Sequence, residues 1–435
     1  MALTLDRRDW LAGSGAAGLV AMLTEPLAEA QGAREKLTVG LIGCGGRGTH
    51  VVGLFKKTPG VDIAYVCDVD ENRRLETAKK LNVVSQRAVG DLRRILDDKS
   101  VDAVIVATPD HWHAPAAILA CDAGKHVYVE KPISHNIREG RLLIEAAERN
   151  KRHVQHGTQG RSTTMIAQAV KALHDGLIGT VLVAKCWNIQ RRRTIGHEQP
   201  TSAPAGFDHD LWCGPAPLLP YQKNRSHGDW HWWQAFGTGD MGNDGVHDID
   251  YTRWGLGVTT HPSKVSAIGG KFFFDDDQQF PDTQQVAFEY PGDGKPGNKR
   301  MLIYEMRLWS TNYPHNTDSG AEFYGTKGQM YLSRRGKIEV RGHRNEPVSV
   351  KIEPKAQDDL THVGNFCEAI RGGAKLNADA LTGHLTSSLC HLGNMATRLG
   401  RSLDFDPQAE RFTSDLEANS LVGRTYREHW GRPRV

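Results

Sequence analysis

A cluster of glycines, Gly43-Cys44-Gly45-Gly46-Arg47-Gly48, lies directly between a β-rich run, Leu37–Ile42, and a helical one. Glycines at this spacing permit a tight turn, a close backbone approach to a pyrophosphate and close helix–strand packing, while the helix start adds free N–H groups and a positive dipole end. Twenty residues after Gly48, at the end of a second β-rich run, Val61–Cys67, stands Asp68. A carboxylate there accepts hydrogen bonds from ribose hydroxyls and repels a 2′-phosphate, so the pattern predicts NAD in preference to NADP. The alternative, a glycine turn with a chance acid, is disfavoured by the strand–turn–helix order around it.

Strand and helix patterns go on alternating through 101–107 and His126–Val129, which predicts a parallel sheet with crossover helices. The near-continuous apolar character of 101–107 suits a strand buried on both faces. Beyond Gly157 the texture changes to an aromatic, glycine-rich loop region over 187–245, then β-rich runs at 264–274, 284–290, 301–308, 321–324 and 329–333. Strands in series predict a mostly antiparallel sheet, with helices on one face and another layer, such as a second subunit, on the other. Helical segments at 360–371 and 383–399 precede a polar tail. A chain of 435 residues exceeds what one core usually organises, and the expected division is a targeting segment and linker over 1–34, a Rossmann domain over 35–157 and a second α/β domain over 158–435. The fold class is α/β.

The first residues read as an export signal: Arg7-Arg8-Asp9-Trp10-Leu11, an uncharged small and apolar run to Leu23, then Ala28-Glu29-Ala30 as a small-residue cleavage site. This twin-arginine pattern predicts a folded protein carried out of the cytoplasm. The seven cysteines form no CxxC pair, which speaks against a disulfide framework and fits folding before export. No apolar stretch reaches the roughly 20 residues needed to span a bilayer. The net charge of +3 leaves no electrostatic footprint for nucleic acid, and the short run Arg191-Arg192-Arg193 reads first as a solvated face, second as a patch for an acidic substrate group.

Three further stretches carry candidate chemistry. Thr108-Pro109-Asp110-His111-Trp112-His113 follows a buried strand, at the strand ends where open α/β sheets bind ligands. Thr108, Pro109, Asp110 and His113 are candidate cofactor residues; His111 and His113 lack a nearby third ligand, so loop anchoring or packing on the cofactor is expected and no metal. Glu130-Lys131-Pro132 ends the next strand, where Glu130 offers a carboxylate for an ammonium and Lys131 could bind a substrate hydroxyl or help move its proton. In Gly239-Asp240-Met241-Gly242-Asn243-Asp244-Gly245-Val246-His247, a helix starting at Asn243 would set Asn243 and His247 one turn apart, with Asp240 a turn earlier. Between these lies Trp230-His231-Trp232-Trp233-Gln234-Ala235-Phe236-Gly237, whose His231 and Trp232 could stack on a sugar or simply fill the core.

In order and spacing these motifs resemble the Gfo/Idh/MocA oxidoreductases, most strongly over residues 37–162. The resemblance implies a Rossmann domain followed by an α/β domain whose open sheet commonly mediates oligomerisation, so a homodimer or homotetramer is expected. It implies cofactor contacts from Gly43, Gly45, Gly46, Arg47, Gly48, Asp68, Glu130, Lys131 and Gln159, and catalytic roles for Lys131, His247, Asn243 and Asp240. Arg161, His231, Trp232 and Asp244 are candidate substrate contacts. Family dehydrogenases carry a DxxxH pair whose histidine is the general base; His247 matches it, but Asn243 stands at the aspartate position, leaving Asp240 or Asp244 as substitutes. The activity so implied is NAD(P)-dependent oxidation or reduction of a sugar CH–OH group. NAD-dependent glycoside hydrolysis through transient oxidation, and dinucleotide sensing without catalysis, are the alternatives.

Overall fold

The computed structural model describes residues 36–433, so the twin-arginine segment lies outside the described residues. Six strands, β1 (Leu37–Ile42), β2 (Val61–Cys67), β3 (Ala88–Val89), β4 (Ala103–Val106), β5 (His126–Val129) and β6 (Val154–His156), form an all-parallel sheet in the order β3-β2-β1-β4-β5-β6. The chain reverses direction across the sheet between β1 and β4, and this opens a crevice at their carboxyl ends. β4 is shorter than the expected 101–107, yet pairing runs on at both ends, with Asp102 N donating to Thr38 O and Ala107 N to Ile42 O, each at 2.8 Å. Every residue of β4 is buried, as its apolar run predicted.

Helices cover both faces of this sheet. On one face Val51, Val52 and Phe55 of the helix Gly46–Lys57 meet Val363, Phe366 and Cys367 of the late helix Asp359–Ile370. The other face packs against the helices Asp110–Asp122 and Ile137–Arg149. The chain therefore returns from its last quarter to close the first sheet. Its polar tail is also docked: Arg424 and Tyr426 meet the buried Glu139, and Trp430 packs on Trp112.

The second sheet has nine strands: β7 (Val181–Asn188), β8 (Lys264–Gly270), β9 (Thr283–Tyr290), β10 (Arg300–Arg307), β11 (Ser319–Gly325), β12 (Gly328–Ser333), β13 (Lys337–Arg341), β14 (Leu403–Asp406) and β15 (Arg411–Phe412). The order is β13-β12-β11-β7-β10-β9-β8-β14-β15, antiparallel except for β7 beside β10. The helices Thr164–His174, Val246–Leu256 and Ala380–Leu399 bury one face. The opposite face is more open: Gln285 and Glu289 alternate outward along β9, and Ile268 is 81% exposed.

Two expectations need correction. The loop region expected from residue 187 begins later, because Trp187 and Asn188 complete β7, where the Trp187 ring is fully buried and stacks on Tyr331. The run 264–274 is a strand only to Gly270. Beyond it the N–H groups of Phe272, Phe273 and Phe274 all turn onto the buried carboxylate of Asp282 at 2.9–3.1 Å, in place of a ladder. Asp282→Ala should lower the free energy of unfolding by about 2 kcal/mol, the cost of N–H groups left unanswered. Asp282→Asn should recover part of that loss in urea titrations.

Candidate active site

A cavity of about 330 Å3 opens at the crevice between the ends of β1 and β4. Gly43, Gly45, Gly46, Arg47, Asp68, Thr108, Pro109, His113, Glu130, Lys131, His231 and Asn243 line it. The glycines divide by function. Gly43 has φ +98°, and a Cβ on Gly48 would stand 1.9 Å from Gly43 O, so these two make the turn and its packing. A Cβ on Gly46 would meet nothing within 4 Å, and one on Gly45 only Arg73 Nη1 at 3.5 Å. No side chain caps the helix Gly46–Lys57, which leaves its first N–H groups to whatever enters the cavity. Asp68 accepts from Cys44 N at 2.7 Å and Asp70 N at 2.9 Å, and burial pushes its carboxyl up. A carboxylate has about four lone-pair sites, so acceptor capacity remains for a diol. These residues fit a dinucleotide.

The strand-end residues mostly bind the protein to itself. His113 places one ring nitrogen 2.6 Å from Pro132 O and the other 2.8 Å from Thr108 O, and so ties the exits of β4 and β5 together. His111 anchors the loop at Trp212 O and Phe236 O, and burial drives its pKa down to about 3. Asp110 accepts from Thr238 Oγ1 at 2.6 Å, away from the cavity wall. Gln159, hydrogen-bonded to the Tyr128 hydroxyl, and Arg161, bonded to Asp250 at 2.8 Å, are likewise outside that wall. Trp232 belongs to the core of the second domain, whereas Trp230 and His231 reach the cavity.

The sequence placed Glu130 to hold the Lys131 ammonium, and the geometry corrects this. Glu130 is buried and accepts from Arg47 Nε at 2.8 Å; Arg47 also reaches Asp359 at 3.0 Å, and the two carboxylates raise its pKa against the pull of desolvation. Lys131 Nζ instead donates to the backbone oxygen of Asn243 and, at 3.3 Å, to its Oδ1. Asn243 Nδ2 in turn donates to Asp240 Oδ1 at 2.9 Å. Met241–Gly245 is a π-helical turn rather than the start of an α-helix, and the α-helix follows at Val246–Leu256. Such turns widen the backbone locally and recur at functional sites.

Asp240, Asp244 and His247 do not line the cavity; they flank Lys131 and Asn243. Asp240 accepts from Asn188 Nδ2 and from both Nε and Nη2 of Arg192. Asp244 lies between Arg192 at 3.2 Å and Arg334 at 2.6 Å, which hold its carboxyl far below the ordinary range against the effect of burial. His247 is pushed well below the imidazole range by desolvation, then by Arg334 and Lys131, and its enclosed Nδ1 has no hydrogen-bond partner. Arg192 thus belongs to this network rather than to a solvated face, while Arg193 pairs with Asp229 at its rim. Arg334, Arg73, Asn188 and Gln190 carried no sequence signal. They come from β12–β13, a cofactor-side helix and the end of β7, and only the tertiary fold brings them here.

Among the described residues, one cluster has the composition of a metal site: His261, His384 and Glu410, with ligand atoms within 4.8 Å of one another. Glu410 there accepts from both histidines and from the fork of Arg141.

The sequence profile of the oxidoreductase family with an NAD-binding Rossmann fold matches residues 37–158, and that of its C-terminal α/β domain matches residues 164–432. The chain belongs to the Gfo/Idh/MocA oxidoreductase family. Within the family's reach, an inositol 2-dehydrogenase from Saccharopolyspora erythraea is 26% identical over 86% of this chain and 97% of its own. A glycosyl hydrolase family 109 protein from the same organism is 33% identical, but over 39% of this chain and 41% of its own length. The chain thus spans less than half of that relative. The fold is shared with aldose-aldose oxidoreductase from Caulobacter crescentus at TM-score 0.65 and 18% identity, over 85% of this chain and 100% of the other.

The division among the glycines is testable. Gly45→Ala should fold with an unchanged melting temperature and bind NAD about ten-fold more weakly, a difference of about 1.4 kcal/mol. Gly48→Ala should lower the melting temperature itself. Thermal unfolding with and without NAD separates the two.

Proposed function

We propose that the protein is an exported oxidoreductase that uses NAD, in preference to NADP, on a CH–OH group of a sugar or sugar derivative. The observation that carries this reading is the Lys131 ammonium seated on Asn243 at the cavity edge, beside a neutral His247 whose Nδ1 has no partner. The dinucleotide, when bound, supplies a hydride acceptor at its nicotinamide ring. Lys131 orients the substrate oxygen and withdraws charge from it as the proton leaves. His247 takes the proton, because burial and two neighbouring cations keep its imidazole unprotonated at neutral pH. Asn243 stands at the aspartate position of the DxxxH pair that the family resemblance implies and keeps the lysine contact through its carbonyl oxygens; Asp240, itself held by Arg192, keeps Asn243 in place. Asp68 at the ribose end favours NAD by its charge.

An exported enzyme has little free NAD to draw on, so the cofactor travels inside the folded chain and each cycle returns the hydride to a sugar. The Arg47 bridge from Glu130 to Asp359 supports retention, since it ties the glycine loop to the helix that closes the first sheet. The partial likeness to glycosyl hydrolase family 109 proteins favours one second reading, glycoside cleavage by transient oxidation, elimination and re-reduction. Release of nitrophenol from p-nitrophenyl glycosides without added NAD would select it.

Lys131→Met should lower kcat by about 10³-fold, within the range of a lost acid–base group, and leave NAD bound. Turnover at the normal rate would overturn the assignment. His247 has a lowered pKa, so its neutral form persists below the ordinary value of about 6.5 and is lost only on further acidification. The acid limb of kcat/KM should therefore fall below pH 6.5 and vanish in His247→Asn.

A further inference from the structure

A second cavity, of about 440 Å3, shares no lining residue with the first but is walled in part by the segments that continue from it. Its wall includes His135 and Asn136, just beyond Lys131, and Gln234, Gly237 and Thr238, just beyond His231. The remaining wall comes from β8 and its following loop, the helix Ala380–Leu399 and the docked tail at 420–424. The polar groups here are poorly answered by the protein. Asn136 and His391 are each 4% exposed, yet Asn136 Nδ2 and His391 Nε2 have no hydrogen-bond partner. Arg424 spends Nε on Glu139 and Nη2 on His111 O, while its enclosed Nη1 has none. Both ring nitrogens of His135 are likewise unmet, and since buried polar atoms are nearly always satisfied in folded proteins, these five around one cavity are a ligand-shaped deficit.

The charge of the wall selects the ligand. Among its described residues there is no aspartate or glutamate, whereas Lys271, Arg398 and Arg424 all contribute. Lys271 is committed to Asp276 at 2.5 Å and Arg424 in part to Glu139; Arg398 is exposed. His391 is held neutral by burial, its pKa pushed down to about 3, so the net positive character comes from the arginines. The geometry points to a second binding site, separate from the dinucleotide crevice, for a small organic oxyanion: a carboxylated or phosphorylated metabolite whose anionic group meets Arg424 and Arg398 and whose hydroxyls meet Asn136 and His391. The volume suits one small molecule. Because the site shares the strand exit of Lys131 and the loop of His231 with the first cavity, occupancy would be felt in catalysis.

The test uses the full protein saturated with NAD, so that no anion can settle on the glycine loop. Inorganic phosphate, glucose 6-phosphate, glucuronate and neutral glucose are titrated by calorimetry. At least one of the three anions should bind in the wild-type protein, and which one separates phosphate from carboxylate as the natural group. Two charge changes read out the location. Arg398→Glu reverses the exposed cation, and Gly270→Asp adds a carboxylate where a Cβ has room, the Phe272 ring edge lying 3.6 Å away. Each should weaken anion binding at least ten-fold at an unchanged melting temperature and NAD content. The proposal is overturned if no anion binds, or if binding survives both substitutions.

Discussion

Lys131 joins two halves of the protein that the chain makes far apart. Its backbone follows two residues after β5 of the parallel sheet, and its ammonium ends on the π-turn that introduces a helix of the second domain. The partners are a backbone oxygen and a carboxamide, both neutral, so no acid is in hydrogen-bond contact with the ammonium. A charged group in such a place is free to answer a developing negative charge on a substrate oxygen. An aspartate at position 243 would have quenched much of that field; asparagine retains the geometry and leaves the charge.

The acids that might have met Lys131 are drawn elsewhere by arginines. Arg47 takes Glu130, Arg192 takes Asp240 and shares Asp244, and Arg334 takes the other oxygen of Asp244. Pairing of this kind in a buried setting is costly to break from one side, because the remaining partner is stranded without solvent. The network is accordingly a scaffold: it fixes the π-turn, and its Arg334 adds to the burial that holds the His247 ring unprotonated. Burial works the other way at Asp248, pushing its carboxyl up to about 7 against the opposing effects of Arg334 and of the Tyr251 hydroxyl that donates to it.

The glycine turn, Asp68 and the all-buried β4 were legible because each answers a local rule: a φ only glycine adopts, an acid at a fixed distance, an apolar run inside a two-sided sheet. Lys131 was legible by position but not by partner, since adjacency in sequence pointed to Glu130 and the side chains of successive strand residues diverge. Arg334 and Arg192 were hidden because long-range pairing leaves no periodic trace. The fate of 272–274 was hidden for a different reason. Three phenylalanines read as strand, and only the carboxylate of Asp282, ten residues on from Phe272, shows that their N–H groups are turned to one acceptor. Trp187 misled through composition, its ring being core rather than loop.

The central claim is a dinucleotide that never leaves the protein, its hydride handed back to a sugar in each cycle. Protein purified without added cofactor should release close to one NAD per chain on denaturation, and mixing the native protein with sugar alone should raise absorbance at 340 nm by no more than that bound amount before a plateau. A preparation free of NAD, which turns over only with added cofactor and accumulates NADH in solution, would contradict it.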